Sequence, residues 1–194
     1  MAGRWALKNY CIEGIDIMPT KLYKQENGKI FYWETWDDGG TSTIHWGKLG
    51  EEGERKNIKN TFFKKTSKLV NEEEAFMRQK GYEEIEEDDL KLVIIQFKVD
   101  GFGTENDLNK RHDIEDLMDE LLGRTGLGDC DGGEIGSGIM NIFCYVIDTD
   151  IACRVIVNTL TEKELISGAL IFETNKGEIR LLWPLDYEGK IEYL

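Results

Sequence analysis

Histidine is nearly missing from this chain: His45 and His112 are the only two among 194 residues. A zinc site would have to draw on cysteines, yet Cys11, Cys130, Cys144 and Cys153 are scattered without a Cys-x-x-Cys pair. Three of the four sit in or beside apolar runs, which fits buried, reduced thiols of a cytoplasmic protein. No stretch approaches the 18 consecutive apolar residues of a membrane helix. Lys8, Glu13 and Asp16 follow Met1-Ala2-Gly3-Arg4-Trp5 where an export signal would carry an apolar core, so a non-exported protein with no membrane partner is expected. Positive charge is also in deficit. The net charge of −14 argues against a nonspecific grip on DNA, because neutralised phosphates supply most of that affinity.

The deficit is uneven. Lys21 to Tyr82 holds 12 Lys and Arg against 10 Asp and Glu, a balance of +2 that leaves −16 for the remainder. Length and this asymmetry suggest two domains, 1–82 with a core at 21–82, and 90–194, joined by an acidic linker at 83–89. Six of the seven linker residues, Glu83-Glu84-Ile85-Glu86-Glu87-Asp88-Asp89, are acids and are expected to be solvated.

Residues 1 to 20 carry Trp5, Leu7, Tyr10, Ile12, Ile15, Ile17 and Met18 and are expected to pack on a domain. From Lys21 the pattern is β. A strand at Leu22 to Gln25 meets the hairpin signal Asn27-Gly28, followed by the aromatic strand Ile30 to Trp36. A third strand from Thr41 to Trp46 leads into glycines at 47, 50 and 53, which suggest a bent hairpin visiting positive φ. Arg55 to Asn60 can form a fourth strand. Thr66 or Ser67 can then cap a helix to about Lys80, with Leu69, Val70, Phe76 and Met77 on its inner face and Gly81 as its stop.

The second half alternates element types. Leu90 to Val99 reads as a buried strand, and Thr104 with Asp107 can start a helix carrying Ile114, Leu117, Met118, Leu121 and Leu122 on one face up to Gly123. Gly126 to Gly138 is too rich in glycine for regular structure and is expected to be a loop. Ile139 to Ile147 is a second buried strand. Asp148 or Asp150 begins a helix with Ala152, Val155, Ile156 and Leu160 inside, and Ala169 to Phe172 pairs with Ile179 to Trp183 over Asn175-Lys176-Gly177. The expected fold class is α+β: an antiparallel β-meander with one covering helix, then a two-layer α/β sandwich in the order β-α-β-α-β-β, loosely ferredoxin-like.

No catalytic constellation emerges. Ser137 lacks the G-x-S-x-G elbow, and the acids flanking Cys130 blunt its thiol. The glycine stretch has no Lys-Ser/Thr after it, and Asp129, Asp131 and Glu134 would repel phosphate. Those acids lack the spacing of an EF-hand, so neither a metal nor another cofactor is expected. The chain reads as a non-enzymatic binding protein.

Trp46-Gly47-Lys48, followed by Gly50 and Gly53, preceded by an aromatic strand and followed by a helix ending Lys80-Gly81-Tyr82, resembles a WGR domain. That module is found in poly(ADP-ribose) polymerases and in small bacterial proteins, and in the polymerases it helps bind damaged DNA and relays the contact to neighbouring domains. The resemblance covers about a third of the chain and implies a binding role through Trp46, Lys48, Arg55, Lys56 and Lys59. Lys48 stands where the family has Arg, a point charge in place of a planar fork. Six bases, Arg55, Lys56, Lys59, Lys64, Lys65 and Lys68, occur with no acid between positions 55 and 71, a composition suited to a backbone contact. Nucleic acid is thus one candidate partner. The other is a basic protein, met by the acidic helix residues Asp113, Glu115, Asp116, Asp119 and Glu120 in the manner of an immunity or antitoxin-like protein.

Overall fold

The computed structural model describes residues 19–38, 40–59 and 66–192. The apolar lead up to Met18, Cys11, Lys64 and Lys65 lie outside the described residues. The chain divides into two compact units, Met1–Asp89 and Leu90–Leu194.

In the first unit, β1 (Thr20–Glu26), β2 (Lys29–Asp37), β3 (Thr41–Lys48) and β4 (Glu54–Lys59) form an antiparallel sheet in chain order. Asn27 and Gly28 take φ of 52° and 72°, the two positive values of the tight turn whose twist matches its flanking strands. Because that turn pairs Glu26 with Lys29, it also sets Lys21 opposite Glu34 and Leu22 opposite Trp33. Helix α1 (Thr66–Gln79) covers one face, where Leu22, Trp33, Ile44 and Val70 form a buried cluster with Trp46, Ile58, Met77 and Tyr82 packed on it. Phe76 does not join them. It is 53 % exposed with Lys80 Nζ 4.3 Å from its ring centroid. Val70 and Met77, two turns apart, define the contact line, and Phe76 points about 100° away from Met77.

The acidic stretch is not wholly a linker. Glu83 exchanges backbone hydrogen bonds of 2.8 and 2.9 Å with Tyr23, adding a bridge outside β1, and Glu84 pairs with Arg78. The acid side chains of the stretch stay exposed.

The second unit contains β5 (Lys91–Lys98), α2 (Glu105–Arg124), β6 (Gly128–Gly136), β7 (Ile139–Val146), α3 (Thr149–Glu162), β8 (Leu170–Asn175) and β9 (Glu178–Trp183). Its sheet runs β6-β7-β5-β8-β9 with every neighbouring pair antiparallel. The expected glycine loop is therefore mostly a strand, and the order becomes β-α-β-β-α-β-β. Glycine serves close approach here: a Cβ on Gly128 would lie 1.9 Å from the Tyr145 carbonyl oxygen, and one on Gly133 2.3 Å from that of Asn141. Thr104 and Asp107 form the reciprocal cap of α2, which continues through Gly123 to Arg124, and the Asp148 carboxylate caps α3 by accepting from the Ile151 N–H at 2.8 Å.

Both helices pack on the sheet through Ile114, Met118, Leu121 and Leu122 of α2 and Ala152, Ile156 and Leu160 of α3. On another core cluster, Tyr187 and Ile191 of the C-terminal segment lie against Ile94, Leu170 and Phe172. A polar row crosses the sheet beside it. The Gln96 amide donates to Asn141 Oδ1 at 2.8 Å and to the Glu192 carbonyl at 2.6 Å, while Asn141 Nδ2 donates to Glu134 at 3.0 Å.

Candidate functional site

Strand alternation in the first unit sorts side chains between two faces. Register aligns Lys21, Glu34, His45 and Arg55 across all four strands, with Tyr23, Tyr32 and Gly47 in the adjacent row, on the face opposite Ile44 and Trp46. Three of these side chains form a continuous chain with Tyr32. Lys21 Nζ lies 3.3 Å from Glu34 Oε2, His45 Nδ1 2.6 Å from Glu34 Oε1, and His45 Nε2 3.0 Å from Tyr32 Oη. A carboxylate only accepts, so Nδ1 carries the hydrogen of the Glu34 contact. In the imidazole form Nε2 then accepts from the Tyr32 hydroxyl.

The electrostatics agree with a closed, fully paired network. Burial alone would raise the Glu34 carboxyl, but the Lys21 ammonium and the His45 hydrogen bond outweigh it and hold it below the usual range. Burial likewise opposes charge on Lys21, yet Tyr23 and Glu34 raise it overall, and burial followed by the Glu34 charge pushes the Tyr32 phenol up. Tyr32 is 0 % exposed and His45 1 %. A Glu-His-Tyr row resembles acid-base machinery in composition, but no substrate atom can reach its terminal hydroxyl while the sheet stays closed.

The glycine turn explains the closure. Only Gly50 among its three glycines has positive φ, 82°. Gly53 and Gly47 are needed for room instead: a Cβ on Gly53 would lie 2.0 Å from Tyr32 Oη and 2.5 Å from His45 Nε2, and one on Gly47 3.1 Å from the Tyr32 ring. The turn therefore seats directly on the phenol and imidazole.

The five residues expected to make contacts do not form one patch. Trp46 packs on the core cluster under α1, Lys56 ion-pairs with Glu73 of α1 at 2.5 Å, and Lys48 is held by Glu51. Arg55 and Lys59 lie on the other face of β4, in register with His45 and Thr41. Both are exposed, and neither makes an ion pair among the described residues. Trp36, partly exposed, stands on this same face and meets His45 edge-on at 6.2 Å between ring centroids. No family model, curated protein or solved structure matches the chain. The site therefore stands on its own geometry.

From the sequence His45 was met only as one of two histidines, and Lys21, Tyr32 and Glu34 were missed as the partners of its row. The signal was available in the Asn27-Gly28 turn, whose two-residue length sets which β1 and β2 residues oppose each other. Among the described residues, no three His, Cys, Asp or Glu side chains could hold a metal ion, and no helix is long and apolar enough to cross a membrane.

Proposed function

We propose that the first unit is a WGR-like recognition module of a non-enzymatic binding protein and that it contacts nucleic acid through the open face of β4. The supporting observation is the pair of exposed bases, Arg55 and Lys59, which make no ion pair among the described residues and lie on an edge strand of a sheet whose interior is locked by the Lys21-Glu34-His45-Tyr32 chain. Such a surface offers a preorganised backbone contact, and Trp36 supplies an aromatic edge beside it. Trp46 and Lys56 support the module from within, and Lys48 is occupied by Glu51. Strand order β6-β7-β5-β8 with β-α-β-β-α-β connectivity supports a ferredoxin-like reading of the second unit, extended by β9.

A second reading rests on α2. Asp113, Asp116 and Glu120 are exposed at spacings that align them along one helix face, whereas Glu115 is engaged by Arg111 at 3.3 Å. That acidic stripe suits a basic protein partner.

Binding of the full chain to nicked, blunt and single-stranded DNA and to RNA at low salt distinguishes the readings. Loss of binding in Arg55→Glu/Lys59→Glu supports the first. Absence of nucleic-acid binding, with capture of a basic protein that Asp113→Lys/Asp116→Lys abolishes, supports the second.

A further inference from the structure

Cys130 and Cys144 lie 14 positions apart in sequence yet are directly opposed partners on β6 and β7. A β-bulge creates the pairing. From Gly136 back to Gly133 the hairpin register would place Cys130 opposite Tyr145, and a one-residue slip sends a side chain to the other face of a sheet. Between Cys130 and Gly133 the register shifts by one, with Gly132 at φ 79°, so Cys130 comes opposite Cys144 and onto its face. Directly opposed residues of an antiparallel pair have Cα atoms about 4.5–5.5 Å apart, inside the range that a disulfide spans. Cys144 is wholly buried, while Cys130 is partly exposed with its Sγ 4.0 Å from the Gly132 carbonyl oxygen.

From this geometry we propose that Cys130 and Cys144 form a cross-strand redox pair, closed to a disulfide by exchange with a small neutral disulfide. Cys130 is the entry point because it alone of the two meets solvent. Its thiolate attacks one sulfur of the oxidant, forming a mixed disulfide and releasing the first thiolate of the reagent. The Cys144 thiolate then attacks Cys130 Sγ, forming the Cys130–Cys144 bond and releasing the second. The two thiol protons end on the two released thiolates, so the dithiol is oxidised by two electrons and the reagent reduced by two. The neighbouring Cys130, burial, and the charges of Asp129 and Asp119 all push the Cys144 thiol up. The same carboxylates disfavour an anionic oxidant. The closed bond ties the bulge to β7 and fixes the part of β6 that packs on α2.

The test exposes the full chain to 2-hydroxyethyl disulfide and, separately, to glutathione disulfide, followed by alkylation and non-reducing peptide mapping. Wild type should lose two hydrogens with Cys130 and Cys144 in one cross-linked peptide pair, faster with the neutral reagent at equal concentration. Cys144→Ala should stop at a mixed disulfide on Cys130, Cys130→Ser should leave Cys144 unmodified, and Cys153→Ser should react as wild type. A mixed disulfide that persists on wild-type Cys130, or a cross-link that uses Cys11 or Cys153 instead, overturns the proposal. The wild-type map decides this even if a cysteine variant folds poorly.

Discussion

Gly53 lies so close to Tyr32 that a Cβ added to it would stand 2.0 Å from the phenolic oxygen. This contact joins the glycine turn to the buried row Tyr32, His45, Glu34 and Lys21, and it makes the turn a lid on that row. Gly53→Ala should therefore destabilise the first unit by about 2–3 kcal/mol through overpacking. Gly123→Ala is the opposite case, since a Cβ there meets nothing within 4 Å and the residue is inside α2. It should stabilise by about 0.5–1 kcal/mol. Urea unfolding of the two variants beside wild type measures both.

Tyr32→Phe removes one hydroxyl and leaves His45 Nε2 without its buried partner. A loss of about 1–3 kcal/mol follows from the unmade hydrogen bond. Tryptophan fluorescence during urea unfolding reports it through Trp33 and Trp36, the neighbours of Tyr32 on β2.

Acid sensitivity has a defined sign. The Glu34 carboxyl is held below its ordinary value because Lys21 and the His45 contact outweigh the opposing effect of burial. The unfolded chain takes up a proton near an ordinary glutamate value of about 4.3, before the folded chain does. The stabilisation is thus complete above that pH and is lost as pH falls from it through the folded value. Glu34→Gln should cost about 3 kcal/mol at neutral pH by removing the carboxylate charge that faces the Lys21 ammonium, and it should show a shallower loss of stability on acidification than wild type. Urea midpoints between neutral pH and about pH 3 test this.

Much of the secondary structure was legible in the sequence because its signals are local. Asn27-Gly28 marked the first hairpin, Thr104 with Asp107 marked the α2 cap, and apolar spacing marked the inner faces of α2 and α3. Gly128 to Gly136 was misread because glycine lacks β-propensity, whereas here it permits close backbone approach to Tyr145 and Asn141, a tertiary demand that no local pattern carries. The same limit applied to the site. Trp46, Lys48 and Lys56 stood beside Arg55 and Lys59 in sequence, but strand alternation, α1 and Glu51 separate them in space. The pairing of Cys130 with Cys144 was hidden by a bulge that changes the register by one residue.

Trp46→Ala follows from this separation. Trp46 packs against Leu22, Trp33, Ile44 and Val70, so its truncation should lower stability by about 2–4 kcal/mol. Any loss of binding in that variant should scale with its unfolded fraction, which a binding titration paired with a melting curve will show.

In the second unit, Asn141 is fully buried between Gln96 and Glu134. Asn141→Leu should destabilise by about 1–3 kcal/mol, because the buried Gln96 amide and the partly exposed Glu134 carboxylate each lose a partner. Amide hydrogen exchange in β5, β6 and β7 should rise together, while that in β1 to β4 stays unchanged.

The most direct measurement is fluorescence anisotropy of a nicked DNA duplex titrated with the full chain across a salt series. Wild type is set against Arg55→Glu/Lys59→Glu and against Arg154→Glu, an exposed α3 residue in the other unit. The account predicts binding by wild type that weakens with salt, near-wild-type binding by the Arg154 variant, and at least a tenfold loss for the double variant. An Arg55→Ala/Lys59→Ala pair should lower the salt slope by roughly 2, one for each phosphate contact removed. Equal binding by wild type and the double variant, or no wild-type binding at the lowest salt, would contradict it.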